Sequence, residues 1–289
     1  MPYSDVELNE PEFKVLSGLI YETSGICLGP SKRLMLANRL RRRVNSGEYG
    51  SIKEYLDKLL SRPDPDAVAE LIDMATTHHT SFFRENGHFE FLTQVALPKL
   101  EAMAAGQARP IRAWSAAASS GEEPYSLAMV LAQWESAGFR RSWNIIATDI
   151  SRPILDEAKQ GIYSESKMSG VPAHLKVKYF EQGVGSFAGR YRVTAKLRAN
   201  VQFGRVNLFD ADYPIANLQD IILCRNVMIY FDQPSREKVV KRLLRHLAPG
   251  GYLMIGHTEN LLGIAHGLRP VGQSVFQKSE TDVVVSQWG

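Results

Sequence analysis

The stretch Trp114–Ser126, which reads W-S-A-A-A-S-S-G-E-E-P-Y-S, constrains the fold more than any other part of the chain. Ahead of it Ile111-Arg112-Ala113 is a short strand-like run, and behind it Leu127–Ala132 is an apolar helical run. A strand feeding a turn of small residues and then a helix is the opening unit of a nucleotide-binding α/β sheet. Small side chains let a ligand approach the backbone, and the helix start near Pro124 presents free N–H groups. The G-x-G-x-x-G pattern is missing, and Glu122 and Glu123 would repel a pyrophosphate. Two acids suit instead a ligand that carries an ammonium, a sulfonium or ribose hydroxyls. An ordinary βα turn is the competing reading of this stretch taken alone.

Downstream, Trp143–Thr148 reads as a second buried strand with Asp149 at its carboxyl end. Doubly wound sheets bind ligands at that edge, and an acid about 30 residues beyond the first turn suits ribose hydroxyls. Capping of the next helix, over Ile150–Ala158, is the alternative role for Asp149. The alternation then breaks over about 161–201, where five glycines, Tyr179-Phe180 and Tyr191-Arg192-Val193 predict a helical piece and short antiparallel strands. Insertions at a ligand edge often carry partner recognition. The core resumes with Val201–Phe203 and Val206–Asp210. Asp220–Cys224 is the strongest buried-strand signal, and it ends at Arg225-Asn226. A helix opened by Asp232–Ser235 should run to about Leu247, and Pro249-Gly250-Gly251 should turn into a strand over Tyr252–Gly256. Leu268–Val271 and Val275–Gln277 should close the sheet as an antiparallel hairpin, with frayed residues from about 279.

The first third has helical periodicity. Asn9-Glu10-Pro11 marks a start, with Phe13, Leu16, Leu19 and Ile20 on one face and Gly25 as the stop. A second helix is expected from Ser31 to about Val44, burying Leu34, Leu36, Leu40 and Val44. A capping box at Ser51–Glu54 opens a third helix with Tyr55, Leu56, Leu59 and Leu60 inward. Asp64-Pro65 opens a fourth, carrying Val68, Leu71, Ile72 and Met74. The second helix also bears Lys32, Arg33, Arg39, Arg41, Arg42 and Arg43 with almost no acid between them. That run reads either as a solvated face or as a docking surface for an acidic helix or a nucleic-acid backbone. His78-His79 has no further ligand at metal spacing, so no metal is expected. Phe82-Phe83-Arg84 reads as core, or as a lid that brings Arg84 over a ligand. The domains are then 1–84 helical, 85–105 a linking helix bent at Pro98, and 106–289 the sheet domain with its insert.

At 289 residues, 44% hydrophobic and 22% charged, the chain is of ordinary globular composition and long enough for two domains. A net charge of +3 does not call for nucleic acid. Two distant cysteines, Cys27 and Cys224, exclude a disulfide framework and fit a reducing compartment. With no signal-like start and no apolar run of membrane length, a cytoplasmic protein without membrane insertion is expected.

Small-residue turn, Asp149 and a late Pro-Gly-Gly strand outline a Rossmann-like S-adenosylmethionine-dependent methyltransferase. The local motifs are narrower. Trp114–Ser126, Cys224–Phe231 (C-R-N-V-M-I-Y-F), Gly256–Asn260 (G-H-T-E-N) and Thr80–Glu85 (T-S-F-F-R-E) resemble the chemotaxis receptor methyltransferases, the CheR family, in one consistent order over about residues 10–278. The resemblance implies transfer of a methyl group from S-adenosyl-L-methionine to glutamate side chains on the cytoplasmic signalling domain of membrane chemoreceptors, leaving S-adenosyl-L-homocysteine. It also implies an N-terminal all-α domain before the methyltransferase sheet. Carried over by position, Thr80, Arg84, Glu123, Asp149, Asn207, Leu208, Cys224, Arg225 and Asn226 line the cofactor site, with Arg84 and Tyr230 near the reacting centre. His78 stands where the family has asparagine, and it can still offer one donor or acceptor. Lys32, Arg33, Arg39 and Arg41–Arg43 become a docking face for the receptor, and the insert a place for a receptor C-terminal peptide.

Such chemistry asks little of acids or bases, because a glutamate is already ionised and a sulfonium methyl is an activated electrophile. Alignment and exclusion of water are the main demands, so Arg84 is expected to orient the incoming carboxylate and Tyr230 to help position it. Asp149 should hold the ribose and Glu123 face the methionine ammonium. A methyltransferase acting on RNA or a small molecule is the alternative enzyme, although no RNA-binding module or stacking cluster is present in the sequence. A non-catalytic cofactor-binding regulator is the alternative of another class.

Overall fold

In the computed structural model, which describes residues 8–61, 64–103, 109–138 and 141–280, Asn9 caps the first helix, α1 (Glu10–Ser24). Its side chain accepts from Glu12 N–H at 2.8 Å, and Glu12 returns a bond to Asn9 N–H at 3.0 Å. Gly25, at φ 70°, closes the helix in the left-handed conformation. A 3₁₀ turn over Pro30–Lys32 leads into α2 (Arg33–Arg43), then α3 (Ile52–Ser61) and α4 (Pro65–Ala75). Phe13, Leu16, Ile20, Leu36, Leu40, Val44, Tyr55, Leu56, Leu59, Leu71 and Ile72 are all buried. Of the other expected core positions, Leu19, Val68 and Met74 are partly buried and two are exposed. Leu34 is 67% exposed, because Leu36, Leu40 and Val44 define a fourfold-spaced row and Leu34 lies nearly opposite it; Leu60, 48% exposed, likewise misses the face set by Ile52, Tyr55, Leu56 and Leu59.

The chain forms two compact units. The helical unit comprises the residues up to Thr77 together with Tyr230–Arg236. That late segment is tied into it by an antiparallel bridge between Ile26 and Phe231, by Cys27 N–H donating to Tyr230 O at 2.8 Å, and by the Tyr21 hydroxyl donating to Asp232 Oδ2 at 2.8 Å.

The second unit, His78–Ile229 and the residues from Glu237, carries the sheet. It opens with α5 (Gly87–Phe91) and α6 (Leu97–Met103), joined by a π-helical turn over Leu92–Ala96 in which Leu97 N–H reaches back to Leu92 O. The irregularity expected at Pro98 thus lies just ahead of it, where a carbonyl loses the N–H that proline lacks. Residues 104–105 of the expected linking helix, and the tail beyond residue 280, lie outside the described residues.

The strands are β1 (Ile111–Ser115), β2 (Trp143–Asp149), β3 (Ile162–Ser164), β4 (Phe180–Gln182), β5 (Arg190–Val193), β6 (Val201–Arg205), β7 (Gln219–Cys224), β8 (Leu247–Ile255), β9 (Arg269–Gly272) and β10 (Val275–Gln277). The large sheet has the order β6-β2-β1-β7-β8-β10-β9; its first five strands are parallel, and the β9–β10 hairpin pairs antiparallel to β8. Helices α7 (Glu122–Ser136), α8 (Arg152–Gln160), α9 (Ala173–Tyr179), α10 (Ala195–Arg198) and α11 (Gln233–His246) complete the α/β architecture. The inserted antiparallel sheet has the order β3-β5-β4. β7 is buried at every position, and its apolar run Ile221–Cys224 suits a strand covered on both faces. β8 begins earlier than expected, at Leu247, and absorbs Pro249-Gly250-Gly251 as an irregularity of register against β7, with Gly250 at φ 73°. At the opposite edge from the ligand side, buried Asp220 accepts both terminal nitrogens of Arg109, at 2.8 and 2.7 Å, and Arg112 N–H at 3.0 Å. Among the described residues no helix is long and apolar enough to cross a membrane.

Candidate cofactor site

β1 has β2 on one side and β7 on the other, so the strand order reverses at β1 and β7 and a crevice opens at their carboxyl ends. The turn that leaves β1 is pinned on both flanks. Ala116 N–H donates to Leu223 O at 2.8 Å, and Ala118 N–H donates to Thr148 O at 2.9 Å. Ser119 sits at φ 49° and Gly121 at φ 95°, where an added Cβ would come within 2.8 Å of the Tyr163 hydroxyl. Glycine is required there by conformation and by space.

Both acids of the turn are buried. Glu122 points away from the strand ends: Ser120 Oγ donates to it at 2.6 Å, and Lys167 of the insert donates at 2.8 Å. Glu123 accepts from Ser115 Oγ at 2.7 Å and from Arg225 Nη1 at 3.0 Å. Burial raises the Glu123 carboxyl above its ordinary value, and the Arg225 guanidinium opposes that shift.

Asp149 closes the β2 end. Its Oδ2 accepts Ser119 N–H at 2.8 Å and its Oδ1 accepts Ser151 N–H at 3.1 Å. The cap of α8 is Ser151, whose Oγ accepts Ile154 N–H at 3.4 Å, so capping does not explain Asp149. Asp149 O also receives Val206 N–H at 3.1 Å, which brings the end of β6, and with it Asn207 and buried Leu208, to the end of β2.

At the β7 end, Cys224 is fully buried, and Arg225 is a hub with its side chain 1% exposed. Besides Glu123 it donates to Glu85 Oε2 at 3.0 Å and to the backbone carbonyl of Arg84, and its guanidinium lies over the Phe89 ring at 5.7 Å. Asn226, at φ 57°, donates from Nδ2 to Glu85 Oε1 at 3.1 Å. Burial pushes Glu85 up, but hydrogen bonds from Asn226 and Arg225 with the guanidinium's charge outweigh it, and its carboxyl lies below the usual range. The loop after β7 is stitched to β8 by Glu259, which accepts backbone N–H groups of Gly256, Asn226, Met228 and Ile229 at 2.6, 3.0, 2.7 and 3.3 Å.

Glu85, His88 and His257 each offer a ligand atom, all within 4.8 Å of one another. The cation beside them is Arg225. His88 is buried and donates Nε2–H to Gln273 O at 3.2 Å; burial first, then the guanidinium, lowers its pKa to about 4, so it is neutral at physiological pH.

The structure therefore brings Glu123, Arg225, Asn226 and the Arg84 backbone into one network, and Asp149 and Asn207 to the neighbouring strand ends. His78 enters through its carbonyl, which accepts Ser119 Oγ at 3.3 Å, and the Arg84 side chain donates to His79 O at 3.0 Å. Thr80 is partly buried in the same segment. Phe82 is core, edge-on to Tyr163 and Phe180. Tyr230 belongs with the helical unit. Sequence reasoning missed Glu85, Lys167 and Glu259. The adjacency of Glu85 to Arg84 and the motif G-H-T-E-N were the signals available for two of them.

The donor set fits S-adenosylmethionine. Each Asp149 oxygen keeps a lone pair for a ribose hydroxyl, and the turn places small side chains rather than a phosphate-binding glycine loop at the strand end; Glu123, the acid expected to face an ammonium, is buried beside them and paired with Arg225. Asp149→Ala should weaken S-adenosylhomocysteine binding by at least about tenfold, measured by calorimetry, since it removes acceptors for the ligand and for Ser119 N–H together. Unchanged affinity would remove the ribose role.

Residues 78–276 match the family described as "CheR methyltransferase, SAM binding domain", and residues 11–76 match "CheR methyltransferase, all-alpha domain". The chain is 39% identical over 265 residues to chemotaxis protein methyltransferase 2 of Pseudomonas aeruginosa, covering 92% of each chain. It is 37% identical to the chemotaxis protein methyltransferase of Borreliella burgdorferi, over 90% of this chain and 91% of that one. It is also 37% identical to the Escherichia coli protein of the same name, over 94% of this chain and 92% of that one. With both regions matched in order and these relatives aligned nearly end to end, the chain belongs to the CheR methyltransferase family.

Proposed function

We propose that the chain transfers the methyl group of S-adenosylmethionine to glutamate side chains on the cytoplasmic signalling domain of membrane chemoreceptors, forming glutamyl methyl esters for chemotactic adaptation and releasing S-adenosylhomocysteine. The observation that carries the reading is the match of both family regions in one chain whose relatives are chemotaxis protein methyltransferases. When bound, the cofactor supplies a methyl group already activated by sulfonium charge. The chain's own residues then have three tasks: Asp149, Glu123 and the turn Ala116–Gly121 hold it, Arg84 orients the acceptor carboxylate, and the buried surround limits water. The test is transfer of labelled methyl to chemoreceptor-containing membranes, with release of the label as methanol in mild base. Base-stable label, or none, would overturn the proposed substrate.

For docking we favour the basic face of α2, in the helical unit. Arg39 is turned inward, donating to Met74 O at 2.8 Å and to Thr76 O, and Arg43 pairs with Glu70 at 2.5 Å. Lys32 and Arg33, next to exposed Leu34 at the start of the helix, and Arg42 at its end are exposed. Reversing these three charges to Glu should raise the apparent KM for receptor roughly tenfold at low salt, with a difference that shrinks as salt rises. Affinity for S-adenosylhomocysteine should stay unchanged, and its loss would point to misfolding instead. The inserted sheet is the proposed seat of a receptor C-terminal peptide. Its β4 lies at an edge, followed by exposed Val184 and Phe187, and an edge strand can accept another strand. Calorimetric titration of such a peptide tests this, and no heat would remove the role. A cytoplasmic location follows from the proposed substrate.

A further inference from the structure

Arg84 lies between two residues in the left-handed region, Phe83 at φ 54° and Glu85 at φ 55°. Neither is glycine, so the surroundings must over-determine this turn for it to persist. On the Phe83 side, its N–H donates to Ser126 Oγ at 2.9 Å and its ring packs edge-on against Phe89 at 5.3 Å. On the other side the side-chain contacts centre on Glu85, whose backbone carbonyl also accepts His88 N–H at 3.0 Å. One carboxylate oxygen takes Arg225 Nη2 at 3.0 Å, the other takes Asn226 Nδ2 at 3.1 Å, and the same Arg225 nitrogen donates to Arg84 O. The Arg84 side chain, by contrast, is only partly buried, with its Nη1 bonded to His79 O. The backbone of Arg84 is clamped while its guanidinium can be redirected.

We infer that Glu85 is a positioning residue for methyl transfer. Its charge fixes Arg225 and Asn226 against the turn, and the turn thereby aims Arg84 at the acceptor. Without Glu85, Arg225 keeps Glu123 but loses the partner that sets its second nitrogen on the Arg84 carbonyl. The fork geometry of a guanidinium makes that arrangement directional, so a neutral partner of equal size is a weaker guide. The inference rests on the proposed function, because it takes Arg84 to act on the acceptor carboxylate.

Glu85→Gln keeps the size of the side chain and one acceptor oxygen but removes the charge, and Glu85→Ala removes both acceptors. Methyl transfer to receptor membranes, affinity for S-adenosylhomocysteine by calorimetry and the melting temperature are to be measured on the same preparations. The expected result is a kcat about tenfold lower in Glu85→Gln and lower again in Glu85→Ala, with receptor KM and cofactor-product affinity within about threefold of wild type. The melting temperature of Glu85→Gln should barely change. An unchanged kcat overturns the inference. So does a parallel fall of kcat, affinity and melting temperature, which would mark a general folding role. Wild-type protein that transfers no label to receptors overturns the functional reading and this inference with it, and that outcome is seen before any substitution is made.

Discussion

Arg225→Met is expected to abolish S-adenosylhomocysteine binding and to lower stability by about 3–5 kcal/mol, the range seen when one partner of a buried ion pair is removed. For a unit of this size that corresponds to a melting temperature lower by roughly 10 °C. The cause is electrostatic rather than volumetric. Methionine fills much of the space over Phe89, but it leaves Glu123 and Glu85 as two neighbouring carboxylates with their shared cation gone. The pH dependence follows with a definite sign. Burial already raises Glu123, and the guanidinium opposes the rise, so its loss moves the folded-state pKa higher still. A carboxyl raised in the folded state imposes no penalty below its unfolded pKa, because both states then hold the proton. The penalty grows as pH rises through the window up to the folded value. Glu85, held low by Asn226 and Arg225 in the wild type, loses part of that support in the variant and shifts in the same direction. Calorimetric melts of both proteins should therefore show a deficit that is largest near neutral pH and shrinks as pH falls toward the ordinary carboxylate range. A deficit independent of pH would assign the loss to packing on Phe89 instead.

The same network shows where sequence reading stops. Asp220–Cys224 announces a central parallel strand because a strand covered on both faces carries an unbroken apolar run, here Ile221–Cys224, and that constraint is local. The turn after β1 was legible for a similar reason: small residues and a left-handed glycine are demanded by the backbone itself. Arg225 and Glu123 could be named through motifs, but their pairing spans 102 residues and that of Arg225 with Glu85 spans 140. No periodicity reports a contact of that kind. Arg39 reads as one of six cations on a helix, and only the meeting of α2 with the end of α4 reveals that it donates to Met74 O and Thr76 O. Leu34 and Leu60 were misplaced because hydrophobicity alone does not say which of two nearby leucines lies on the buried row. Glu259 sits in a quoted motif, yet its work is to collect four backbone N–H groups from two loops, a role that exists only in three dimensions. The return of Tyr230–Arg236 to the helical unit has no compositional mark either.

Arg84→Ala should lower kcat for receptor methylation roughly a hundredfold, about the effect of losing the alignment of one reacting group, while stability changes little because the side chain is only partly buried and makes one bond, to His79 O. The size of the effect has a physical ceiling. A carboxylate and a sulfonium react to give a neutral ester and a neutral thioether, so charge is dispersed on the way to the transition state. A fixed cation at the carboxylate therefore stabilises the ground state more than the transition state, and by charge alone Arg84 would slow the reaction. Its benefit has to come from direction, through the planar fork that holds both oxygens and presents one of them. Cofactor contact and acceptor orientation, which sequence resemblance leaves joined, are therefore separable roles for Arg84. If Arg84 holds the cofactor, the alanine variant loses S-adenosylhomocysteine affinity and recovers its rate at saturating cofactor. If it orients the acceptor, affinity is kept and the rate stays low at saturation. Arg84→Lys sharpens the choice, since it restores the charge without the fork: a rate close to that of alanine supports orientation, and a rate close to wild type would show that charge alone suffices.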